Sequence, residues 1–142
     1  LYRIPVRIEL PALADRRQDL IDLVPHALRN MKHDCPGLEA RAWLVLLRHD
    51  WPGNVRELES DLGIAAARRK ATGAKGPLTA EDPGWGDTLR THVEAVRGMT
   101  KVGARREAVG FLRPILEAQG YGYGTHGAGL GDQLAGLLGV HK

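Results

Sequence analysis

One arginine in this chain stands in a local setting suited to binding an anion. The stretch Trp51-Pro52-Gly53-Asn54-Val55-Arg56-Glu57-Leu58 joins two turn formers to the start of a helix, since Pro fixes φ and Gly leaves it free. Asn54 is the predicted N-cap, and Glu57, three residues later, completes the pattern of a capping box. Arg56 would then lie in the first turn, where backbone N–H groups and the helix dipole favour an anion. A guanidinium there suits a phosphate, although a surface arginine on an amphipathic helix is the plainer interpretation.

A second set of basic residues lies in the C-terminal third of the chain. Between residues 97 and 113 a single acidic residue, Glu107, stands against five basic ones: Arg97, Lys101, Arg105, Arg106 and Arg113. Such a patch beside a helix is typical of phosphate contact, and a solvated helix face is the more frequent explanation. With His141 and Lys142 at the end of the chain, these residues form the predicted DNA-binding set.

Other candidate sites fail on spacing. His33, Asp34 and Cys35 stand together, but no second cluster completes a tetrahedral metal site, so no metal is predicted. The segment Gly73–Gly76 lacks the spacing of a phosphate-binding loop, and no strand precedes it. Because no Walker A sequence occurs, the chain is not expected to hydrolyse a nucleotide by itself.

Helices must position these residues, and the fold class predicted is mainly α. Apolar residues recur at helical spacing in several segments, and residues 6–11 alternate as in a short strand or an extended entry segment. Pro25 predicts a bend in the first helix, and Pro114 a kink or restart in a later one. The predicted helices span residues 15–32, 38–49, 55–70 and 87–97, a stretch from about residue 104, and a stretch from residue 132.

Composition limits the class of protein. The 142 residues are 43% hydrophobic and 26% charged, as in a soluble globular protein, and no apolar run approaches the ~20 residues of a membrane span. A single cysteine fits a reducing, cytoplasmic compartment. The net charge of +3 belongs to residues 1–75, which hold 13 Lys/Arg against 10 Asp/Glu. We expect a fragment of a longer protein, because the chain begins at Leu1 rather than at Met.

The Trp51–Leu58 stretch resembles the signature of the lid subdomain in bacterial enhancer-binding proteins. These are AAA+ ATPases that activate transcription by the sigma-54 form of RNA polymerase. The first twenty residues, from Leu1-Tyr2-Arg3-Ile4-Pro5-Val6 to Asp19-Leu20, resemble that family's entry into the lid. Two motifs in the right order cover residues 1–70. Ala14 departs from the family, whose members commonly carry an arginine there.

The resemblance implies that residues 1–73 are a small helical bundle forming an AAA+ lid. Composition predicts a Gly/Pro linker at 74–86, and apolar spacing predicts a C-terminal helical region at 87–142. The resemblance implies that Arg56, with Asn54 and Val55, lies at the nucleotide, Arg56 sensing its terminal phosphate. It also implies that Arg3 is an arginine finger acting in trans within a homo-oligomeric ring. ATP and Mg would be bound only in the intact protein, with an α/β subdomain upstream, so enzyme activity is expected of that ATPase and not of the fragment.

The resemblance further implies sigma-54 RNA polymerase and DNA as partners. Residues 132–142 resemble the first helix and turn of a helix-turn-helix, cut short before a recognition helix. Two alternatives remain open: a non-enzymatic DNA-binding or protein-interaction module that keeps a lid-like scaffold, and a chaperone-like remodelling ATPase with a similar lid.

Overall fold

Helices make up all the regular structure in the described part of the chain. The computed structural model describes residues 6–31, 37–121 and 129–139. Within those ranges the extended pairing is limited to one isolated bridge, between Leu38 and Leu78. The mainly α prediction is confirmed. The elements are a 3₁₀ helix at Leu13–Asp19, α1 at Leu20–Asn30, α2 at Ala40–Arg48, α3 at Asn54–Ala71, a 3₁₀ turn at Asp87–Leu89, α4 at Arg90–Arg97, α5 at Lys101–Ala118 and α6 at Leu130–Leu137.

Helix α2 lies at the centre of the core. Its residues 42–47 are all buried, and a helix that is apolar all round belongs in an interior. It packs against both α4 and α5, while α1 packs on α3 and α6 on α5. The buried indole of Trp43 donates a hydrogen bond to the carbonyl of Leu137, at 2.6 Å. One continuous core therefore joins the N-terminal and C-terminal helices.

The predicted first helix is divided, and its interruption lies before the expected bend. Helical geometry breaks at Arg16, where φ is −133° and ψ is 47°, whereas α1 continues through Pro25. The guanidinium of the next residue, Arg17, donates to the carbonyl of Leu47 and to the carboxylate of Asp50. Contacts to the end of α2 and to a residue just after it thus accompany the break, and local helix propensity could not predict them. The apolar stripe of α1 faces the core as predicted.

The Gly/Pro-rich segment after α3 is packed against the bundle. Leu78 and Ala80 are buried, and the indole of Trp85 donates to the carbonyl of Thr79 at 2.8 Å. Arg69 of α3 forms an ion pair with Asp82 at 2.6 Å. The segment is therefore held against α3 by tertiary contacts. The division of the chain into three parts stays a prediction.

The C-terminal helices follow the predicted pattern with shifted boundaries. Helix α5 begins at Lys101 because Thr100 caps it, its hydroxyl oxygen accepting from the Gly103 N–H at 3.0 Å. It continues through Pro114 without a restart. In α6 the leucines at 130, 134 and 137 are buried, but a helix-turn-helix remains a prediction, since Val140 lies outside the described residues. In the part of the chain described, the helices are too short or too polar to cross a membrane.

Candidate functional site

The loop that leads into α3 is fixed by its own backbone and by one tryptophan. Trp51 and Asn54 both have a left-handed φ of 52°, which is uncommon for residues other than glycine. The Asn54 N–H donates to the Trp51 carbonyl at 2.8 Å. The indole of Trp51 is buried and donates to the Leu46 carbonyl at 2.9 Å. Trp51 therefore anchors this loop in the core.

The predicted capping box is wrong in its details. Gly53 is the N-cap, and its N–H donates to Oε2 of Glu57 at 2.7 Å. The side chain of Asn54 does not cap the helix. Its Oδ1 instead accepts from the Leu13 N–H at 2.8 Å, a tertiary contact with a residue 41 positions earlier. The backbone of Asn54 is left-handed in this arrangement. One hydrogen bond of the capping box, from the N-cap N–H to Glu57, is therefore present, with Gly53 as the N-cap. The side chain of Asn54 instead holds the entry segment.

Arg56 lies in the first turn of α3 with its side chain exposed. It makes no hydrogen bond or ion pair with any other described residue. Its guanidinium is therefore available to a ligand, at the end of the helix where the dipole favours an anion. Val55 is half-buried and Asn54 exposed. The predicted nucleotide-binding residues thus share one turn, held in place by Trp51 and Leu13.

A cluster of four titratable side chains lies beside this turn. Nε2 of His49 lies 2.8 Å from Oε1 of Glu57, and both side chains are buried or nearly so. His49 also meets Trp51 and His92 edge to face, with ring centroids 4.7 and 5.5 Å apart. Burial lowers the pKa of the His92 imidazole, and the charge of His49 lowers it further.

The two carboxyl groups of the cluster differ in their surroundings. Burial alone would raise the pKa of Glu57, but hydrogen bonds from His49 and from the Gly53 N–H outweigh it, so this pKa is lowered. Asp61, one turn later, is also buried, and its Oδ2 has no hydrogen-bond partner. Burial raises the pKa of Asp61, and the charge of Glu57 raises it further, whereas His49 opposes the shift. Glu57 is thus held as an anion, while Asp61 is an uncompensated buried acid.

The entry segment before the first 3₁₀ helix has no regular secondary structure from residue 6 to residue 12. Of the two predicted conformations, strand or extended entry, the strand is therefore absent. Val6, Ile8 and Leu10 are exposed, each by more than 60%. Arg3, the predicted arginine finger, lies outside the described residues.

The predicted DNA-binding residues do not form one patch. On α5, helical spacing puts Arg106 and Arg113, seven residues apart, on one exposed face. Lys101 and Arg105 instead line a groove with Glu39 and Arg41, and Arg97 lines another groove beside Trp85.

The basic side chains make no hydrogen bond or ion pair with another described residue; this holds for Arg97, Lys101, Arg105, Arg106 and Arg113. Glu107 is the single acidic residue among them in the sequence, and its carboxylate forms an ion pair with Arg48 of α2. His141 and Lys142 lie outside the described residues, as does the group His33, Asp34 and Cys35. Among the residues described, no three His, Cys, Asp or Glu side chains meet in a way that could hold a metal.

Sequence reasoning missed the contribution of α4 to this region. His92 and Thr88 come close to His49 and Glu57, yet they are separated from them by more than 30 residues. The one local signal was the Glu57/Asp61 pair, two acids at i and i+4, which would repel each other on a helix face.

Comparison with known proteins agrees with this geometry. Residues 14–71 match the family model of the AAA+ ATPase lid domain, and these residues include the first 3₁₀ helix, α1, α2 and α3. No solved structure matches the chain significantly.

Several bacterial regulators are similar to part of the chain. The pathogenicity locus probable regulatory protein HrpR of Pseudomonas syringae pv. syringae is 38% identical over 81 residues, 51% of this chain and 26% of HrpR. The transcriptional regulatory protein ZraR of Salmonella typhi is 41% identical over 64 residues, 42% of this chain and 14% of ZraR. The C4-dicarboxylate transport transcriptional regulatory protein DctD of Rhizobium meliloti is 34% identical over 96 residues, 56% of this chain and 21% of DctD.

The chain spans about a quarter or less of the length of these relatives. The predicted resemblance is confirmed on the segment that carries Arg56 and its loop. Residues 14–71 match the AAA+ ATPase lid domain, and the regulators that are similar to part of the chain support the predicted resemblance to the enhancer-binding family.

Proposed function

We propose that this chain is the lid of an ATP-driven AAA+ activator of sigma-54 RNA polymerase, and that Arg56 binds the terminal phosphate of ATP. One observation carries the proposal: the Arg56 guanidinium is exposed and unpaired with any described residue, on a turn that Trp51 and Asn54 hold rigid. A fixed cation at a helix N-terminus fits a phosphate without further rearrangement.

As the family resemblance implies, ATP and Mg would be bound in the intact protein between this lid and an α/β subdomain upstream of it. Bound ATP supplies the phosphoryl group whose hydrolysis drives remodelling of the polymerase–promoter complex. Arg56 would orient that group and stabilise its charge. Arg3 of a neighbouring subunit in a homo-oligomeric ring would stabilise the same group in trans.

The test is Arg56→Ala in the intact protein. Charge-assisted hydrogen bonds contribute about 1.5–3 kcal/mol, so ATP turnover and promoter opening should fall by roughly ten- to a hundredfold. The matched control is Arg68→Ala, which removes an exposed arginine from the other end of the same helix and should leave both activities unchanged. Equal activity of the Arg56 variant and the wild type would overturn the role of Arg56, whereas a wild-type protein without ATP turnover would favour a non-enzymatic module that keeps the lid as a scaffold.

A second candidate function, DNA contact by α5, rests on Arg106 and Arg113. Both are exposed on one face, and the nearby Glu107 is already paired with Arg48. If they touch phosphates, binding to duplex DNA must weaken as salt rises. Replacing either arginine with alanine should reduce the slope of log K against log salt by about one. Arg90→Ala is the control, since Arg90 is already paired with Asp87; a slope that is the same in all variants would exclude this face.

A further inference from the structure

The side chain of Glu57 joins the turn that carries Arg56 to the start of helix α4. One carboxylate oxygen, Oε2, accepts from the Gly53 N–H at 2.7 Å. The other, Oε1, accepts from His49 at 2.8 Å and from the Thr88 hydroxyl at 3.4 Å. The side chain is only 16% exposed, and hydrogen bonds to a charge that is largely removed from water are stronger than those at the surface.

The loop and the helix meet closely at this carboxylate. A Cβ added at Gly53 would lie 2.7 Å from the Cβ of Glu57, so the loop backbone sits directly against the side chain. Any shift of the Glu57 carboxylate must therefore displace either the Gly53 N–H or the helix itself. Arg56 lies between these two residues along the chain, and its backbone must follow such a shift.

Helix α4 reaches the same carboxylate by a second route. The ring of His92 meets the ring of His49, whose Nε2 is bonded to Glu57. Thr88 contacts Glu57 directly, just before α4 begins. Helix α4 packs on α2, as does α5. Thr88 and His92 therefore connect the C-terminal helices to the turn of Arg56, although Arg56 itself touches neither residue.

We propose that Glu57 is a positioning residue through which α4 sets the aim of Arg56, so that displacement of the C-terminal helices weakens ATP binding. This rests on the proposed function of Arg56. When α4 moves away, Glu57 loses the Thr88 hydroxyl and His49 loses its contact with the His92 ring, which leaves the loop with fewer restraints. By thermodynamic linkage, a ligand that displaces α4 and α5 lowers the affinity for ATP, and ATP opposes that ligand by the same factor.

The experiment measures steady-state ATP hydrolysis by the intact protein carrying Thr88→Val or His92→Ala. Both variants should raise KM for ATP by about threefold or more, with a smaller change in kcat, as expected for coupling between contacting residues. Thr91→Val is the matched control, because Thr91 is exposed on the same helix, and it should leave KM unchanged. Glu57→Gln should raise KM for ATP to a value between those of the wild type and of these variants, since an amide retains one acceptor oxygen.

Combination with Arg56→Ala separates positioning from a merely structural role. In the Arg56→Ala background, neither Thr88→Val nor His92→Ala should raise KM further, whereas a general loss of stability would act equally in both backgrounds. An unchanged KM in the single α4 variants, with a raised KM in Arg56→Ala, overturns the positioning role and leaves the proposed function standing. An Arg56→Ala protein whose kcat and KM for ATP both equal those of the wild type overturns the proposed function itself. Unfolding midpoints of all variants show that each is folded at the assay temperature.

Discussion

The ion pair between Arg69 and Asp82 holds the segment after α3 against the lid, and its removal should be costly. Arg69 Nη1 lies 2.6 and 2.7 Å from the two oxygens of Asp82, and the two side chains are only 11% and 8% exposed. Oδ2 of Asp82 also accepts from the Thr79 N–H at 2.6 Å. In Asp82→Ala the guanidinium would keep the Lys75 carbonyl, at 2.7 Å, but would lose its counterion.

Breaking a buried pair from one side typically costs about 3–5 kcal/mol, because the remaining charge stays out of water. We therefore expect Asp82→Ala to lower the free energy of unfolding by about 3 kcal/mol or more. The pair of Arg90 and Asp87 provides the matched control, with side chains 70% and 88% exposed. An exposed pair contributes roughly 0–1 kcal/mol, so Asp87→Ala should change the stability little.

Urea unfolding of the 142-residue chain measures both variants, with circular dichroism in the far and near ultraviolet. Amide hydrogen exchange locates the effect, because the Leu78 N–H donates to the Gly37 carbonyl at 2.9 Å and the Glu39 N–H to the Leu78 carbonyl at 2.8 Å. Both amides should exchange faster in Asp82→Ala. A loss of stability no larger than that of Asp87→Ala would refute the reasoning, since burial would then add nothing to the pair.

Two further predictions concern the acid and the imidazole beside the Arg56 turn. Burial raises the pKa of Asp61, so its contribution to stability is complete below its unfolded pKa and is lost as pH rises. Asp61→Asn should therefore increase the free energy of unfolding at pH 7 by about 1 kcal/mol. This gain in stability should disappear towards pH 4. Because burial and His49 lower the pKa of His92, its contribution is present above about pH 6.5 and lost as pH falls. His92→Gln should flatten the decline in stability between pH 7 and pH 5, and a decline identical to that of the wild type would contradict the assignment.

Local sequence was sufficient to predict the helices and the turn of Arg56. Apolar residues at helical spacing predicted α3 and the buried face of α1. The Trp-Pro-Gly-Asn sequence predicted a turn before the third helix, and the structure has a tight turn there with Trp51 buried. These features depend on neighbouring residues, whose φ preferences and periodic burial can be inferred from adjacent letters.

Other features could not be predicted, because they depend on which surfaces meet. The role of Asn54 changed from helix cap to tertiary acceptor, since Leu13 supplies a donor 41 residues away. Arg69 stands in the basic last turn of α3, and its partner Asp82 is brought to it only by the folded segment between them. A Gly/Pro-rich composition shows that such a segment lacks periodicity, but it does not show where its few apolar residues pack.

By itself, the sequence determined that the chain is mainly α and that an arginine stands at the opening turn of its third helix, within a motif that resembles the AAA+ lid. Only the tertiary structure decided that this arginine is free of partners among the described residues, and that Glu57, His49 and His92 meet beside it. The physical reason is the separation along the chain over which each kind of interaction acts. Helix and turn preferences act over about four residues, whereas a buried charge cluster exists only where helices distant in sequence pack together.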